Sequence, residues 1–387
     1  MPVFTGNPGF RITTFRNDNF KGIFSTMNIK KLTKPNIRSL KAYKAEEIPC
    51  KIKLDANESP YSLFTRQRPP AGRQGTAYSA KKIFQTLNRY PDPEAKSFKN
   101  LIAKEFKVKP ENILLGNGSD ELIYYLITTF GGPVLYPTPT FSMYGIISQA
   151  LGEKKAEIPL DNKFDIDLDK ILKEIRKHKP KLIFLSSPNN PTGNSFSPDR
   201  ILRIIESTLS LIPRPSSLVV VDEAYQAFSS KKSFLPFLKK YKNLIILKTL
   251  SKIGLAGLRV GFMMADSRII NEVNKVRLPF NVNSLSQKIS AEILKNRKLL
   301  QSFIKSIVSE RKKLFNEMRK IKGLKPYTSD ANFILFKVKD ADKIYKELLK
   351  KGILVRNMRG VINGCLRVTV GTPRENATFL KILKQLL

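Results

Sequence analysis

Five short apolar runs in this chain are each followed at once by a cluster rich in polar residues, glycine or proline. In chain order, the clusters read GNGSD, PTPTFSMY, SSPNNPTG, DEAY and TLSK. Short apolar runs that alternate with amphipathic helical patterns predict an open α/β sheet. Because ligands bind beyond the carboxyl ends of the strands in such sheets, we expect the five clusters to meet at one site.

Residues 244–261, LIILKTLSKIGLAGLRVG, place Lys252 between an apolar strand and two glycines. A lysine there can lose its hydration, which lowers the pKa of the amine and makes it a nucleophile that forms Schiff bases. The alternative is a solvated surface lysine, the usual state in a chain with 69 Lys and Arg residues. The clusters elsewhere in the chain favour the functional interpretation.

The segment ILLGNGSDELIYYL, residues 113–126, predicts a strand, a glycine turn and a helix that begins near Ser119 and Asp120. This arrangement directs backbone N–H groups and the positive end of a helix dipole toward a bound anion such as phosphate. Strand–turn–helix units are common, so an ordinary structural unit is the alternative.

The length of 387 residues exceeds what a single hydrophobic core supports well, and the pattern changes near residue 280. Beyond that point a long helical stretch, 284–320, precedes short strands and two further helices. We therefore predict an acid-poor, disordered N-terminal extension over 1–27, an N-terminal arm over 28–52, a large domain over 53–282 and a small α+β domain over 283–387. A Gly-, Pro- and Arg-rich surface insertion is expected at 65–79.

The formal net charge of +37 makes nucleic acids and anionic ligands candidate partners. The lysines are scattered over amphipathic stretches, however, and no basic stripe interleaved with aromatic residues is present. We therefore interpret the charge as a solvated surface and do not expect a nucleic-acid partner. No apolar stretch has the length of a membrane span, so the chain is expected to be cytoplasmic, without a membrane partner.

Histidine and cysteine usage excludes several kinds of enzyme. The single histidine, His178, lies in a run of lysines, so neither a Ser-His-Asp mechanism nor a zinc hydrolase is expected. Two cysteines, Cys50 and Cys365, build neither a disulfide framework nor a metal site. We predict no metal.

Eight motifs together carry a family resemblance: KLDANESPY, NRYPDP, LLGNGSDELI, SPNNPTG, VVDEAY, TLSK, LAGLRVG and CLRVTVGT. They resemble the pyridoxal-phosphate-dependent aminotransferases of fold type I, most closely the histidinol-phosphate aminotransferase family. The resemblance covers about residues 28–387. It implies a large domain with a mostly parallel sheet between helices, a smaller α+β domain, pyridoxal 5'-phosphate as cofactor and a homodimer.

The resemblance also implies roles for individual residues. Lys252 would bind the cofactor covalently and move the substrate's proton, Asp222 would pair with the pyridinium nitrogen, and Tyr225 would contact the phenolic oxygen of the cofactor. The other implied cofactor contacts are Ser119, Asp120, Phe141, Asn190, Ser251, Arg259 and, from the neighbouring subunit, Tyr90. The substrate would be held by Arg367, Arg356, Asn57 and Tyr61.

The function implied is exchange of an amino group between L-histidinol phosphate and glutamate/2-oxoglutarate, a step in histidine synthesis. Two alternatives of the same fold stay open, an aromatic amino acid aminotransferase and a threonine-phosphate decarboxylase, because substrate choice rests on few residues. A basic nucleic-acid-binding protein on a catalytically idle fold is the alternative from another class. Taken singly, Phe141 also fits a core aromatic, and Asp222 fits an ordinary acid at a strand end.

Overall fold

The computed structural model describes residues 34–40, 48–61, 88–209 and 217–387. The chain divides into two compact units, Met1–Ala42 and Tyr43–Leu387. In the first unit, the structure describes residues 34–40, which contain the short helix α1, Pro35–Arg38. The predicted extension at 1–27, most of the predicted arm and the predicted insertion at 65–79 lie outside the described residues.

The second unit contains two β-sheets. In chain order, the strands are β1 Ile52–Leu54, β2 Ile113–Asn117, β3 Val134–Thr138, β4 Lys155–Pro159, β5 Leu182–Ser186, β6 Leu218–Asp222, β7 Leu244–Thr249, β8 Val260–Ala265, β9 Leu324–Pro326, β10 Phe333–Val338, β11 Ile353–Asn357 and β12 Cys365–Thr369. The larger sheet has seven strands in the order β2-β8-β7-β6-β5-β3-β4. Strand β8 is antiparallel to both of its neighbours, and all other pairs are parallel.

The α-helices of the second unit are α2 Lys96–Phe106, α3 Ser119–Phe130, α4 Met143–Leu151, α5 Leu168–His178, α6 Pro198–Leu209, α7 Ser267–Asn274, α8 Ser284–Lys295, α9 Arg297–Arg319, α10 Ala341–Lys350 and α11 Pro373–Leu386. Helices α2 to α7 cover both faces of the seven-stranded sheet. Successive strand residues point to opposite faces. Val219 and Val221 accordingly pack with α2, α5 and α6, whereas Val220 packs with α3, α4 and α7.

The second sheet has five strands in the order β1-β11-β12-β10-β9 and packs against α9, α10 and α11. Strand β1 is parallel to β11, with Ile52 opposite Ile353. Residues 52–54 therefore lie in the same sheet as the C-terminal strands. The predicted domain boundaries at 52/53 and 282/283 stay predictions.

The helical stretch predicted over 284–320 forms two helices, because the chain leaves helical geometry at Asn296, where φ is −98° and ψ is 57°. The helix predicted at the C-terminal end of the sequence begins at Pro373. There Thr372 and Glu375 form a reciprocal capping box that satisfies the first backbone N–H groups. Among the helices that the structure describes, none combines the length and apolar character needed to cross a membrane.

Candidate active site

The predicted polar clusters follow strands that end at the same edge of the larger sheet. GNGSD ends β2 and opens α3, and the other four clusters follow β3, β5, β6 and β7. Because β8 is antiparallel to both β2 and β7, β2 runs parallel to the remaining strands. All five clusters therefore begin at carboxyl ends of parallel strands, where α/β proteins bind their ligands.

Asp222, the last residue of β6, is a buried carboxylate with 4% of its surface exposed. Its Oδ2 accepts a hydrogen bond from the hydroxyl of Tyr144 at 2.7 Å, and its Oδ1 accepts one from the backbone N–H of Ala224 at 3.0 Å. Burial raises the pKa of Asp222, and these hydrogen bonds oppose the rise. No lysine or arginine in the described part of the chain forms an ion pair with this carboxylate, so a bound cation would stabilise it.

Tyr144 is a site residue that the sequence analysis missed. It lies fully buried on α4, where its ring stacks on Phe184 with centroids 4.7 Å apart and meets Phe141 edge-on at 5.6 Å. Burial and the nearby charge of Asp222 raise the pKa of its hydroxyl, which therefore stays protonated and donates. The available signal was its place three residues after Phe141, in the cluster that follows β3.

Lys252 lies in a one-turn 3₁₀ segment, Ser251–Ile253, directly after β7. Its Nζ is 5.8 Å from the centroid of the Tyr225 ring. Tyr225 is buried and packs edge-on against Phe333 of β10, while its hydroxyl accepts a hydrogen bond from Nδ2 of Asn57 at 3.0 Å. Lys252 and Tyr225 thus face each other between the two sheets.

Ser251, next to Lys252, is buried and its Oγ lies 2.9 Å from Oγ1 of Thr249. The backbone N–H of Ser251 also donates to that threonine oxygen at 3.1 Å. These contacts fix the position of the serine hydroxyl at the end of β7.

The start of α3 lies close to the guanidinium of Arg259. A Cβ at Gly118, where φ is +80°, would lie 2.5 Å from Nη2 of Arg259, and a Cβ at Gly261 would lie 2.5 Å from the backbone nitrogen of Ser119. Only glycine at these two positions lets the arginine and β8 approach the helix so closely. Arg259 also reaches Asp120, with 3.4 Å between Nη2 and Oδ2. A guanidinium beside a helix N-terminus suits a phosphate.

Arg367, on β12, connects the two sheets. Its Nη1 donates to Oδ1 of Asn190 at 2.5 Å, and its Nη2 donates to the backbone oxygen of Asp55 at 2.7 Å. Arg356 lies directly opposite it on β11. Side chains of opposing residues in an antiparallel pair share one face of the sheet, and like charges there repel. Arg356 and Arg367 are therefore a candidate pair for binding an anion.

The remaining predicted residues, Phe141, Tyr61 and Tyr90, differ in how they contact the residues described above. Phe141 is half-buried and contacts the centre through Tyr144. Tyr61 stacks on Phe303 of α9 at 5.3 Å, so its ring partner lies outside the group of predicted site residues. Tyr90 is 82% exposed and stacks on Phe280 at 4.6 Å.

The chemistry of these groups fits pyridoxal phosphate. Arg259 and the N-terminus of α3 suit its phosphate, and the buried carboxylate of Asp222 suits a protonated ring nitrogen. Lys252 supplies an amine for the aldehyde. In the described residues, no group of three or more His, Cys, Asp and Glu side chains is arranged to hold a metal ion.

Sequence comparisons with known proteins identify aminotransferases. The family model for aminotransferase class I and II matches residues 49–383. The chain is 43% identical to the histidinol-phosphate aminotransferase of Aquifex aeolicus over 90% of this chain and 96% of that protein. It is 39% identical to that of Caldanaerobacter subterraneus subsp. tengcongensis over 93% of this chain and 99% of that protein.

Solved structures share the fold. The histidinol-phosphate aminotransferase from Clostridium acetobutylicum aligns with a TM-score of 0.76 at 23% identity, covering 87% of this chain and 98% of that chain. The Sinorhizobium meliloti histidinol-phosphate aminotransferase, solved in complex with pyridoxal-5'-phosphate, aligns with a TM-score of 0.77 at 22% identity, covering 92% and 98%. The predicted α/β fold class is confirmed.

Proposed function

Because the chain belongs to the class I and II aminotransferases, we propose that it exchanges an amino group between L-histidinol phosphate and 2-oxoglutarate. The products are imidazole-acetol phosphate and glutamate, and the reverse direction serves L-histidine biosynthesis. The observation that carries the proposal is the pair of opposing arginines, Arg356 and Arg367. Arginines at two opposing strand positions suit a phosphate dianion on one substrate and a carboxylate on the other.

Pyridoxal phosphate is the cofactor, and when bound it supplies an electron-withdrawing ring that stabilises negative charge developing at the substrate carbon. The carboxylate of Asp222 would hold the proton on the ring nitrogen. Tyr144 keeps that carboxylate in place by donating to its Oδ2. The arrangement is buried, so the charge pair is little screened by water.

Lys252 binds the cofactor and acts as the proton carrier. With the cofactor bound, its Nζ would accept the proton from the amine-bearing carbon of the substrate and later give it up again. The short 3₁₀ segment that carries Lys252 follows directly from β7, which restricts the movement of its backbone.

Two sets of residues hold the cofactor in position. Ser119, Asp120, Ser251 and Arg259 would surround its phosphate group. Asn190 and Tyr225 would contact its phenolic oxygen, and Phe141 would pack against the ring. The support for this proposal is that these residues follow β2, β3, β5, β6 and β7 at one edge of the sheet, with Arg259 immediately before β8.

Substrate binding rests on Arg367 and Arg356, with Asn57 and Tyr61 as the further contacts expected from the sequence. The substrate anion displaces part of the present hydrogen bonding of Arg367, whose two terminal nitrogens donate to neutral oxygens of Asn190 and Asp55. A charged acceptor forms a stronger hydrogen bond to guanidinium than a neutral one does, which favours the exchange.

The active unit in this proposal is a homodimer in the cytoplasm, in which Tyr90 reaches the phosphate in the neighbouring subunit. An 82% exposed tyrosine stacked on Phe280 is an aromatic surface available to a second copy of the chain. Aromatic side chains are enriched at such interfaces.

The experiment that tests this function measures glutamate formed from 2-oxoglutarate with L-histidinol phosphate, L-phenylalanine or phosphothreonine as the other substrate. We expect L-histidinol phosphate to give the highest kcat/KM. Preference for L-phenylalanine would favour an aromatic aminotransferase. Release of carbon dioxide from phosphothreonine without glutamate formation would favour the decarboxylase.

A further inference from the structure

Asn57 uses every one of its polar groups in hydrogen bonds within the protein. Its Nδ2 donates to the hydroxyl of Tyr225 at 3.0 Å, and its backbone oxygen accepts from Nδ2 of Asn332 at 3.0 Å. Its backbone N–H donates to Oγ1 of Thr369 at 3.0 Å, and its Oδ1 lies 3.2 Å from the same hydroxyl oxygen. The residue is 2% exposed, and its φ of 54° lies in the left-handed region, which asparagine tolerates.

The orientation of the Asn57 amide in the structure gives these contacts a consistent assignment of protons. The backbone N–H of Asn57 can only donate, so the hydroxyl oxygen of Thr369 accepts from it. The hydroxyl donates its own proton to Oδ1 of Asn57, which is the acceptor end of the amide. The amide nitrogen therefore faces Tyr225 and donates to its oxygen. The proton of Tyr225 is left to be donated elsewhere.

We propose that Asn57 is a positioning residue that directs the hydroxyl proton of Tyr225 toward the phenolic oxygen of the bound cofactor. The proposal rests on the function proposed above, in which Tyr225 contacts that oxygen. Without the amide donor, the hydroxyl of Tyr225 would be able to rotate and donate to another acceptor. Asn57 thus acts through Tyr225 and contacts no reacting atom itself.

The same contacts link this orientation to the strand that binds the substrate. Thr369 lies on β12 two residues after Arg367, so both side chains are on one face of the strand. Arg367 also donates to the backbone oxygen of Asp55, two residues before Asn57. Residues 55–57 are therefore hydrogen-bonded to β12 at two points, and the position of that strand sets the position of the Asn57 amide.

The test uses the apparent pKa of the lysine-bound cofactor, read from the pH dependence of its absorbance in the purified holoenzyme. A hydrogen bond donated to the phenolic oxygen favours its ionised form, so loss of that bond raises this pKa. Asn57→Gly is suitable because glycine accepts the positive φ and keeps both backbone hydrogen bonds. We expect Asn57→Gly to raise the apparent pKa by roughly half to one unit.

Tyr225→Phe provides the reference, because it removes the hydroxyl itself and should raise the apparent pKa at least as much. If Asn57 acts through Tyr225, adding Asn57→Gly to Tyr225→Phe changes the apparent pKa no further. An unchanged value in Asn57→Gly, or additive shifts in the double variant, would overturn the proposal.

A matched pair at Thr369 separates hydrogen bonding from packing. Thr369→Val keeps the shape but removes the hydroxyl, so the amide of Asn57 loses its fixed orientation, and the apparent pKa should rise. Thr369→Ser keeps the hydroxyl, so the apparent pKa of the cofactor in this variant should equal the wild-type value. Equal effects of valine and serine would contradict a role for the hydroxyl. Wild-type protein that shows no cofactor absorbance at all would instead refute the proposed function.

Discussion

The hydroxyl of Tyr144 donates a hydrogen bond to Oδ2 of Asp222 over 2.7 Å, in a part of the core that solvent does not reach. The donor lies on α4 and the acceptor at the end of β6, 78 residues away in sequence. The bond keeps a buried carboxylate oriented toward the site where we place the protonated ring of the cofactor.

Tyr144→Phe should weaken cofactor binding. The substitution removes one hydroxyl donor to a charged group, which costs about 1.5–3 kcal/mol, so the cofactor Kd should rise roughly tenfold or more. The Kd is measured by titrating cofactor-free protein with pyridoxal phosphate. Tyr136→Phe is the matched control, because its hydroxyl donates to Glu157 instead, and the Kd should not change. Equal effects of both substitutions would contradict the assignment.

Asp222→Asn should change how the stability of the cofactor-free protein depends on pH. Burial raises the pKa of Asp222 above its ordinary value of 3.8, so the unfolded chain loses this proton at a lower pH than the folded chain does. The free energy of unfolding therefore falls as pH rises from that value through the folded pKa. Asparagine does not titrate, so the free energy of unfolding of the variant does not fall for this reason. Urea unfolding between pH 4 and pH 8 should show the variant gaining stability relative to wild type as pH rises. A difference in the free energy of unfolding between variant and wild type that stays constant from pH 4 to pH 8 would contradict this prediction.

Arg356→Ala should raise KM for L-histidinol phosphate by roughly 10- to 100-fold, because a charge-assisted bond to the phosphate is lost. The same substitution should raise KM for glutamate by a smaller factor. Arg367→Lys should raise KM for both substrates, since a lysine cannot form the two parallel bonds of a guanidinium. Arg359→Ala is the control, because that exposed arginine pairs with Asp342 at the surface. If Arg359→Ala had the same effect as Arg356→Ala, general surface charge would be responsible.

Mixing two defective variants tests whether Tyr90 acts across subunits. Tyr90→Ala should bind the cofactor weakly, and Lys252→Ala should be inactive. In a hybrid dimer, one site combines the intact Lys252 of one subunit with the intact Tyr90 of the other. Unfolding and refolding an equimolar mixture should restore about a quarter of the sites. Activity equal to the average of the two separate variants would show that Tyr90 serves its own subunit.

The strands that precede the polar clusters, and the clusters themselves, could be predicted from the sequence because each is a local pattern. Short apolar runs mark β5, β6 and β7, and the polar residues after them lie at one edge in any parallel sheet. The α/β fold class and the family were confirmed. The roles of the individual site residues stay predictions.

Features that depend on distant contacts could not be predicted. Tyr144 has the pattern of a core aromatic, and only the approach of α4 to β6 shows its hydroxyl to be a donor to Asp222. The amide of Asn57 meets Tyr225 across 168 residues of sequence. The pairing of β1 with β11 was likewise invisible, since nothing local to a three-residue strand identifies its partner.

The central claim is that Lys252 holds pyridoxal phosphate and that the holoenzyme accepts the amino group of L-histidinol phosphate. The most direct measurement is the absorbance spectrum of the purified protein before and after L-histidinol phosphate is added, with Lys252→Ala measured in parallel. We predict a visible band of lysine-bound cofactor that disappears on addition and is absent from Lys252→Ala. A protein that stays colourless when pyridoxal phosphate is added, or a band that persists with L-histidinol phosphate, would contradict the account.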